Sequence, residues 1–226
     1  MEELKVKNIQ FYQANIEYNI KMKDVYAVIM AGGKSSRMGG GIKSLEKFNN
    51  KMIFDRIYEN INKQVKNIII NTNNEKSILD NYNLPIIKDM IKGYLGPLAA
   101  IHASLNWIHE NTKNINWLVT IPGDTPFIPN NLANKLYARA LKFNRDIVLA
   151  KSNNVIHPVI GIWKIDLLKH LEQTIISGER KIILWAEKHN LDYEEFTEKG
   201  FDPFFNINYK KDLITAKKIE KKFIIR

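Results

Sequence analysis

Residues 25–33 read Val-Tyr-Ala-Val-Ile-Met-Ala-Gly-Gly, and the chain continues Lys34-Ser35-Ser36-Arg37-Met38-Gly39-Gly40-Gly41-Ile42 to Lys43. A short apolar run that stops at paired glycines reads as a buried strand entering a loop. In open α/β sheets the loops beyond the carboxyl ends of the strands bind ligands. Glycines there allow positive φ and close backbone approach, and successive N–H groups can cradle phosphate oxygens. Arg37 would add a planar fork and Lys43 a point charge against a triphosphate. The competing reading is a basic surface loop without a ligand. Two other phosphate loops are excluded. A Walker loop needs a glycine where Val28 stands, and no Gly-x-Gly-x-x-Gly follows Met30.

Outward from this stretch, apolar runs alternate with helical patterns. Strands are expected at 25–30, 67–71, 84–87, 117–121, 146–150 and 159–163. Helices are expected at 53–64, 97–109, 130–142, 165–176, 180–189 and 209–221. Such alternation predicts an α/β fold, a mainly parallel sheet with helices on both faces in a Rossmann-like arrangement. Residues 1–22 read as a polar N-terminal extension and 23–226 as a single domain, with a nucleotide half near 25–125 and an acceptor half near 126–220.

The 226 residues suit one substantial domain. The chain has no cysteine, which excludes disulfides, thiolate metal sites and cysteine nucleophiles. No apolar run approaches membrane-spanning length, and the charged first 20 residues do not read as a secretory signal, so a cytoplasmic location without membrane association is expected. The net charge of +10 comes from dispersed residues. That favours compositional drift over a nucleic-acid surface, while still helping to collect anions. No aromatic-basic interleaving marks a nucleic-acid module, and no specific nucleic-acid partner is expected.

Asp124, in Ile121-Pro122-Gly123-Asp124-Thr125-Pro126, follows a buried strand. A carboxylate in such a turn can share a hard dication with substrate phosphates, or it can simply cap the turn.

The pattern Met30-Ala31-Gly32-Gly33-x-x-x-Arg37-Met38-Gly39-x-x-x-Lys43 resembles the opening motif of the molybdenum cofactor guanylyltransferase (MobA-type) family, whose fold is nucleotide-diphospho-sugar transferase-like. That family usually has Asp where Ile42 stands. The resemblance extends over about residues 25–220. It implies nucleotide contacts at Met30, Ala31, Gly32, Gly33, Lys43, Asn71, Asp89, Gly96 and Asp124, with Mg²⁺ on Asp124. It places Arg37, Lys43 and Asp124 at the reaction. His157, Arg180, Asn206 and Asn208 resemble family segments on the acceptor side. Each also has a plainer reading: Asn71 as a turn residue, Gly96-Pro97 as a helix start, His157 as a structural histidine, Asn208 as an N-cap. In an extended chain Asn206 and Asn208 would share one face while Ile207 turns inward.

The resemblance implies transfer of GMP from GTP to the molybdopterin cofactor, giving molybdopterin guanine dinucleotide and pyrophosphate. It names GTP, molybdopterin and molybdoenzyme maturation proteins as partners. Two alternatives stand beside it. One is a cytidylyltransferase of the same fold acting on a pterin, sugar or alcohol phosphate. The other is a non-catalytic protein that binds nucleotide, pterin or nucleic acid.

Overall fold

The computed structural model describes residues 21–32, 42–74, 78–91 and 96–224. Strand β1 (Val25–Met30) precedes a small hairpin, β2 (Lys47–Phe48) and β3 (Lys51–Met52), and helix α1 (Ile53–Ile61). Strands β4 (Asn67–Asn71) and β5 (Ile86–Ile87) come next, then α2 (Pro97–Asn111), β6 (Trp117–Pro122) and α3 (Leu132–Lys142). A second hairpin, β7 (Ile147–Ser152) and β8 (Val155–Lys164), leads to α4 (Leu168–Ile176), α5 (Ile182–Ala186), β9 (Leu191–Glu195) and α6 (Lys210–Ile219).

One seven-stranded sheet runs through both halves of the chain in the order β5-β4-β1-β6-β8-β7-β9. Every neighbouring pair is parallel except the two that β8 makes, with β6 and with β7. The α/β class and mainly parallel sheet expected from sequence are therefore observed. The reversal of β8 follows from its turn. Asn153 and Asn154, at φ 49° and 64°, form a two-residue connection. Such a turn returns the chain antiparallel, whereas a parallel return needs a crossover of about a dozen residues. Asn49 and Asn50, at φ 48° and 61°, turn β2 into β3 in the same way.

The β2–β3 hairpin was not expected, β8 is longer than the strand expected at 159–163, and the chain after α4 departs further. The helix expected at 180–189 is shorter, Ile182–Ala186. The chain then adds an edge strand, β9, whose Leu-Asp-Tyr-Glu-Glu carries no apolar run to announce it. It pairs with β7 along five residues.

The sheet has a core on each side, because alternate strand residues face opposite ways. Val25, Ala27 and Ile29 of β1 join Ile68 and Ile70 of β4, and pack with α1 and α3. Tyr26 and Val28 join Ile69 and pack with α2, α4 and α5. Strands covered on both faces need continuous apolar runs, which is why Asn-Ile-Ile-Ile-Asn serves as β4. Met22 is buried in the first cluster, and its N–H donates to Gln64 O at 2.9 Å. No helix among the described residues is long and apolar enough to cross a membrane.

Candidate active site

Strand register brings the pieces together. Met30 lies opposite Asn71 on β4 and Pro122 on β6, so three strands end side by side. Ala31 N–H donates to Asn71 O at 2.8 Å, and Gly123 N–H donates to Met30 O at 2.9 Å. The second contact demands glycine. A Cβ at position 123 would stand 2.8 Å from Met30 O and 3.2 Å from both Ala31 Cα and Ser44 Cβ.

Lys43 opens a single 3-10 turn just after the glycine loop. Its Nζ lies 3.4 Å from Asp124 Oδ2 and donates to Asn208 Oδ1 at 2.5 Å. Asp124 sits one residue beyond Gly123, with its side chain 20% exposed. Burial raises its pKa above the ordinary carboxylate range, and the charge and hydrogen bond of Lys43 oppose that rise. A small cavity of about 70 Å³ lies between these groups, lined by Met30, Ala31, Lys43, Ser44, Gly123 and Asp124. Ser44 is buried, and its Oγ has no hydrogen-bond partner among the described residues. An orphaned hydroxyl beside a desolvated carboxylate is a donor set that suits a hard dication or a phosphate oxygen. Among the described residues no group of three or more His, Asp or Glu side chains could hold a metal by itself. A dication here would depend on Asp124 together with substrate oxygens.

At the end of β4, Asn71 is 3% exposed and its Nδ2 donates to Asp89 Oδ1 at 3.0 Å. Asn73 holds the same carboxylate from outside. Its Nδ2 donates to Asp89 Oδ2 at 2.7 Å, and its Oδ1 accepts Asp89 N–H at 3.0 Å. Gly96, at φ 62° and ψ −157°, takes a backbone shape that side chains resist, and Pro97 occupies the first helical turn behind it.

The segment from 202 to 208 borders the same edge. Thr125 Oγ1 donates to Asn206 Oδ1 at 2.5 Å, and Ile207 N–H donates to Asp124 O at 2.9 Å. Ile207 is fully buried although residues 205–208 form no strand. Asn208 does not cap α6 with its side chain. Asp212 Oδ2 accepts the N–H groups of Asn208 and Tyr209 instead, both at 2.8 Å, which leaves the Asn208 amide to Lys43. His157 Nε2 lies 2.8 Å from Ser152 Oγ, and the His157 ring packs on Phe204 of this segment.

Arg180 is occupied elsewhere. Its Nη1 donates to Ile175 O, in the last turn of α4, and to Glu179 O beyond that helix, both at 2.8 Å. Gly33 and Arg37 lie outside the described residues. Sequence reading did not single out Ser44, Asn73, Thr125, Ser152 or Asp202. Asn73 alone carried a signal, being two residues from Asn71.

A larger cleft, about 530 Å³, opens at the amino-terminal ends of β1 and β6. Two of its charged groups are engaged: Asp24 with Tyr137 and Asn116, and Lys164 with Asp146. It also lies at the wrong edge, since ligands of parallel sheets gather at carboxyl ends.

The fold and its polar carboxyl edge are those of a nucleotidyltransferase. More narrowly, the family model described as the MobA-like NTP transferase domain matches residues 27–191, and the chain belongs to that family. It is 32% identical over 194 residues to a molybdenum cofactor guanylyltransferase of Rhodopseudomonas palustris (strain BisB5), covering 85% of this chain and 92% of the relative. A relative of the same name from Yersinia pestis (strain Pestoides F) is 32% identical over 189 residues, covering 84% and 93%. Among solved structures, molybdopterin-guanine dinucleotide biosynthesis protein A from Archaeoglobus fulgidus superposes with a TM-score of 0.71 at 25% identity, covering 88% of this chain and all of that one. A 4-diphosphocytidyl-2C-methyl-D-erythritol synthase from Anaerococcus prevotii shares the fold, with a TM-score of 0.65 at 13% identity, covering 92% of this chain and 99% of that one.

Proposed function

We propose that this protein transfers GMP from GTP to the molybdopterin cofactor, releasing pyrophosphate and forming molybdopterin guanine dinucleotide. The observation that carries this reading is the convergence of Lys43, Asp124 and Asn208 at the joined ends of β1 and β6, in a chain similar almost end to end to relatives named for this reaction.

The terminal phosphate of the acceptor attacks the α-phosphorus of GTP, the bond to the β-phosphate oxygen breaks, and pyrophosphate leaves. No enzyme nucleophile is required, so the protein contributes position and charge. Lys43, and Arg37 from the glycine loop, would neutralise the triphosphate and the leaving pyrophosphate. Backbone groups of Met30, Ala31, Gly32 and Gly33 would hold the nucleotide against the strand ends, with Gly96 beside it. Asp124 would hold Mg²⁺, with Ser44 Oγ placed to bond a phosphate oxygen. The ion, when bound, supplies charge neutralisation on the phosphate oxygens. Asp89, steadied by Asn71 and Asn73, is a carboxylate with acceptors only. It suits the adjacent ring N–H and amino donors of guanine better than the edge of cytosine. His157, Asn206 and Asn208 would meet the pterin, while Arg180 would have to leave its carbonyl partners to join them. The same proposal places the protein in the cytoplasm, delivering its product to molybdoenzyme maturation.

Pyrophosphate release measured with each of the four NTPs, with and without molybdopterin and Mg²⁺, tests the reading. Release is expected only with GTP, acceptor and metal together. Equal turnover of CTP would overturn the guanine assignment. Nucleotide binding without release would turn the reading towards a binding protein.

A further inference from the structure

His157 sits where β8 departs from regular pairing. Leu149 of β7 faces Gly161, but the next residue, Ala150, faces His157, so β8 bulges over the intervening residues. Pro158 lies in that bulge and has no N–H to restore the ladder. The bulge re-aims His157, and the Phe204 ring, 4.8 Å away between centroids, backs it.

Behind the imidazole lies a two-step hydrogen-bond chain. Ser152 is 1% exposed. Its Oγ donates to Asp202 Oδ1 at 2.8 Å and lies 2.8 Å from His157 Nε2. Asp202 Oδ1 also accepts Phe204 N–H at 2.9 Å, as a carboxylate should. A hydroxyl has one proton. If that proton is given to Asp202, the bond between Ser152 and the imidazole must be donated by the ring. The ring nitrogen facing Ser152 then carries hydrogen, and the other nitrogen carries the lone pair.

We infer that Ser152 and Asp202 are positioning residues that lock His157 in its Nε2–H tautomer, presenting Nδ1 as a bare hydrogen-bond acceptor to an N–H or O–H donor of the acceptor substrate. The segment that supplies Asp202 and Phe204 runs on to Asn206, Ile207 and Asn208, which bond to Thr125, Asp124 and Lys43, so the lock is built into the wall of the site. The charged neighbours of His157 are Asp202 and Glu195, the latter paired with Lys151 at 3.6 Å. Burial lowers the His157 pKa against the opposing pull of those two carboxylates, which favours the neutral form that a tautomer lock requires.

The lock itself is independent of the substrate, whereas the role of Nδ1 rests on the proposed acceptor side. The experiment separates them. The full chain, labelled with ¹⁵N-histidine, gives long-range ¹H–¹⁵N spectra in which the resonance lost in His157→Gln identifies His157 among the five histidines. The wild type is expected to show Nε2 protonated and Nδ1 bare. Ser152→Ala is expected to mix the tautomers. Asp202→Ala leaves the serine hydroxyl free to turn towards Nε2, so the Nδ1–H form is expected to rise. A wild-type ring protonated at Nδ1, or a tautomer unmoved in both variants, overturns the lock. Steady-state kinetics of Ser152→Ala should raise KM for molybdopterin about three- to tenfold, the loss of one oriented hydrogen bond, with KM for GTP unchanged. A tautomer that moves as expected while KM for molybdopterin stays fixed leaves the lock standing and overturns the role of Nδ1 at the acceptor.

Discussion

Lys43 and Asn208 lie 165 positions apart in the chain, and Lys43 Nζ donates to Asn208 Oδ1 at 2.5 Å. The same Nζ is 3.4 Å from Asp124 Oδ2. One ammonium therefore ties the exit of the glycine loop to the end of β6 and to the entry of α6. An ammonium has three donors. Two are directed at these side chains, which leaves one for a phosphate oxygen.

Lys43→Ala is expected to lower kcat/KM for GTP by about 100-fold or more, the scale of losing one preorganised electrostatic group. Lys43→Arg keeps the charge but replaces a point donor with a wide fork, and should fall between the two. Steady-state kinetics with GTP varied reads both. A wild-type rate in Lys43→Ala would make this lysine a structural tie only.

Asp124→Asn separates metal holding from folding. The amide cannot supply the charge that holds a hard dication, so kcat should fall by about 100- to 1000-fold. Stability should move the other way or not at all. Burial raises the Asp124 pKa, and that influence outweighs Lys43. A raised carboxylate pKa contributes stability only while the group is protonated. The contribution is complete below the unfolded value and is lost as pH rises through the folded one. At neutral pH the ionised side chain is thus a cost that Asn removes. Thermal melting at pH 7 should show an equal or higher Tm, and a Tm lower by several degrees would mark Asp124 as a turn-capping residue. The same shift places the acid limb of Mg²⁺ affinity at higher pH than an ordinary aspartate would give, measurable by metal titration across pH.

Gly123→Ala tests the junction of β1 and β6. The new methyl would press on Met30 O at 2.8 Å, a backbone atom that cannot swing aside. Overpacking of this kind costs about 1–3 kcal/mol, or a fall in Tm of roughly 2–12 °C for a chain of this size. Calorimetry should show that loss together with weaker GTP binding, because the shifted strand ends carry Ala31 and Asp124. An unchanged Tm would mean that the strands part without cost.

Asn73→Ala should loosen Asp89 without touching the nucleotide directly. It removes one hydrogen bond to each of two Asp89 groups, the Oδ2 atom and the backbone N–H. Isothermal titration is expected to show GTP affinity reduced about three- to tenfold and CTP affinity unchanged. Equal losses for both nucleotides would remove Asp89 from base selection.

Much of the molecule was legible in short windows of sequence. Val25–Met30 and Asn67–Asn71 are strands as read, because an apolar run between turn residues reports its own burial. The exit of β1 into paired glycines pointed to the carboxyl edge of the sheet before any strand order was known. Other features needed the folded chain. The reversal of β8 follows from two asparagines with positive φ, and asparagine only tolerates that geometry without announcing it. Edge strand β9 is polar, and its pairing with β7 depends on a partner some forty positions away. Sequence left Asn208 between cap and ligand. The structure gives the cap to Asp212 and the amide to Lys43, a competition between partners that no local pattern encodes. Arg180 shows the reverse case, a cation that reads as substrate-binding and whose Nη1 the structure engages with Ile175 O in the last turn of α4. Side-chain periodicity over a few residues determined most of the buried strands and the longer helices. Only tertiary structure decided which polar groups meet at the site, since the Lys43–Asp124 and Ser152–Asp202 contacts close loops of 81 and 50 residues and depend on strand order and register.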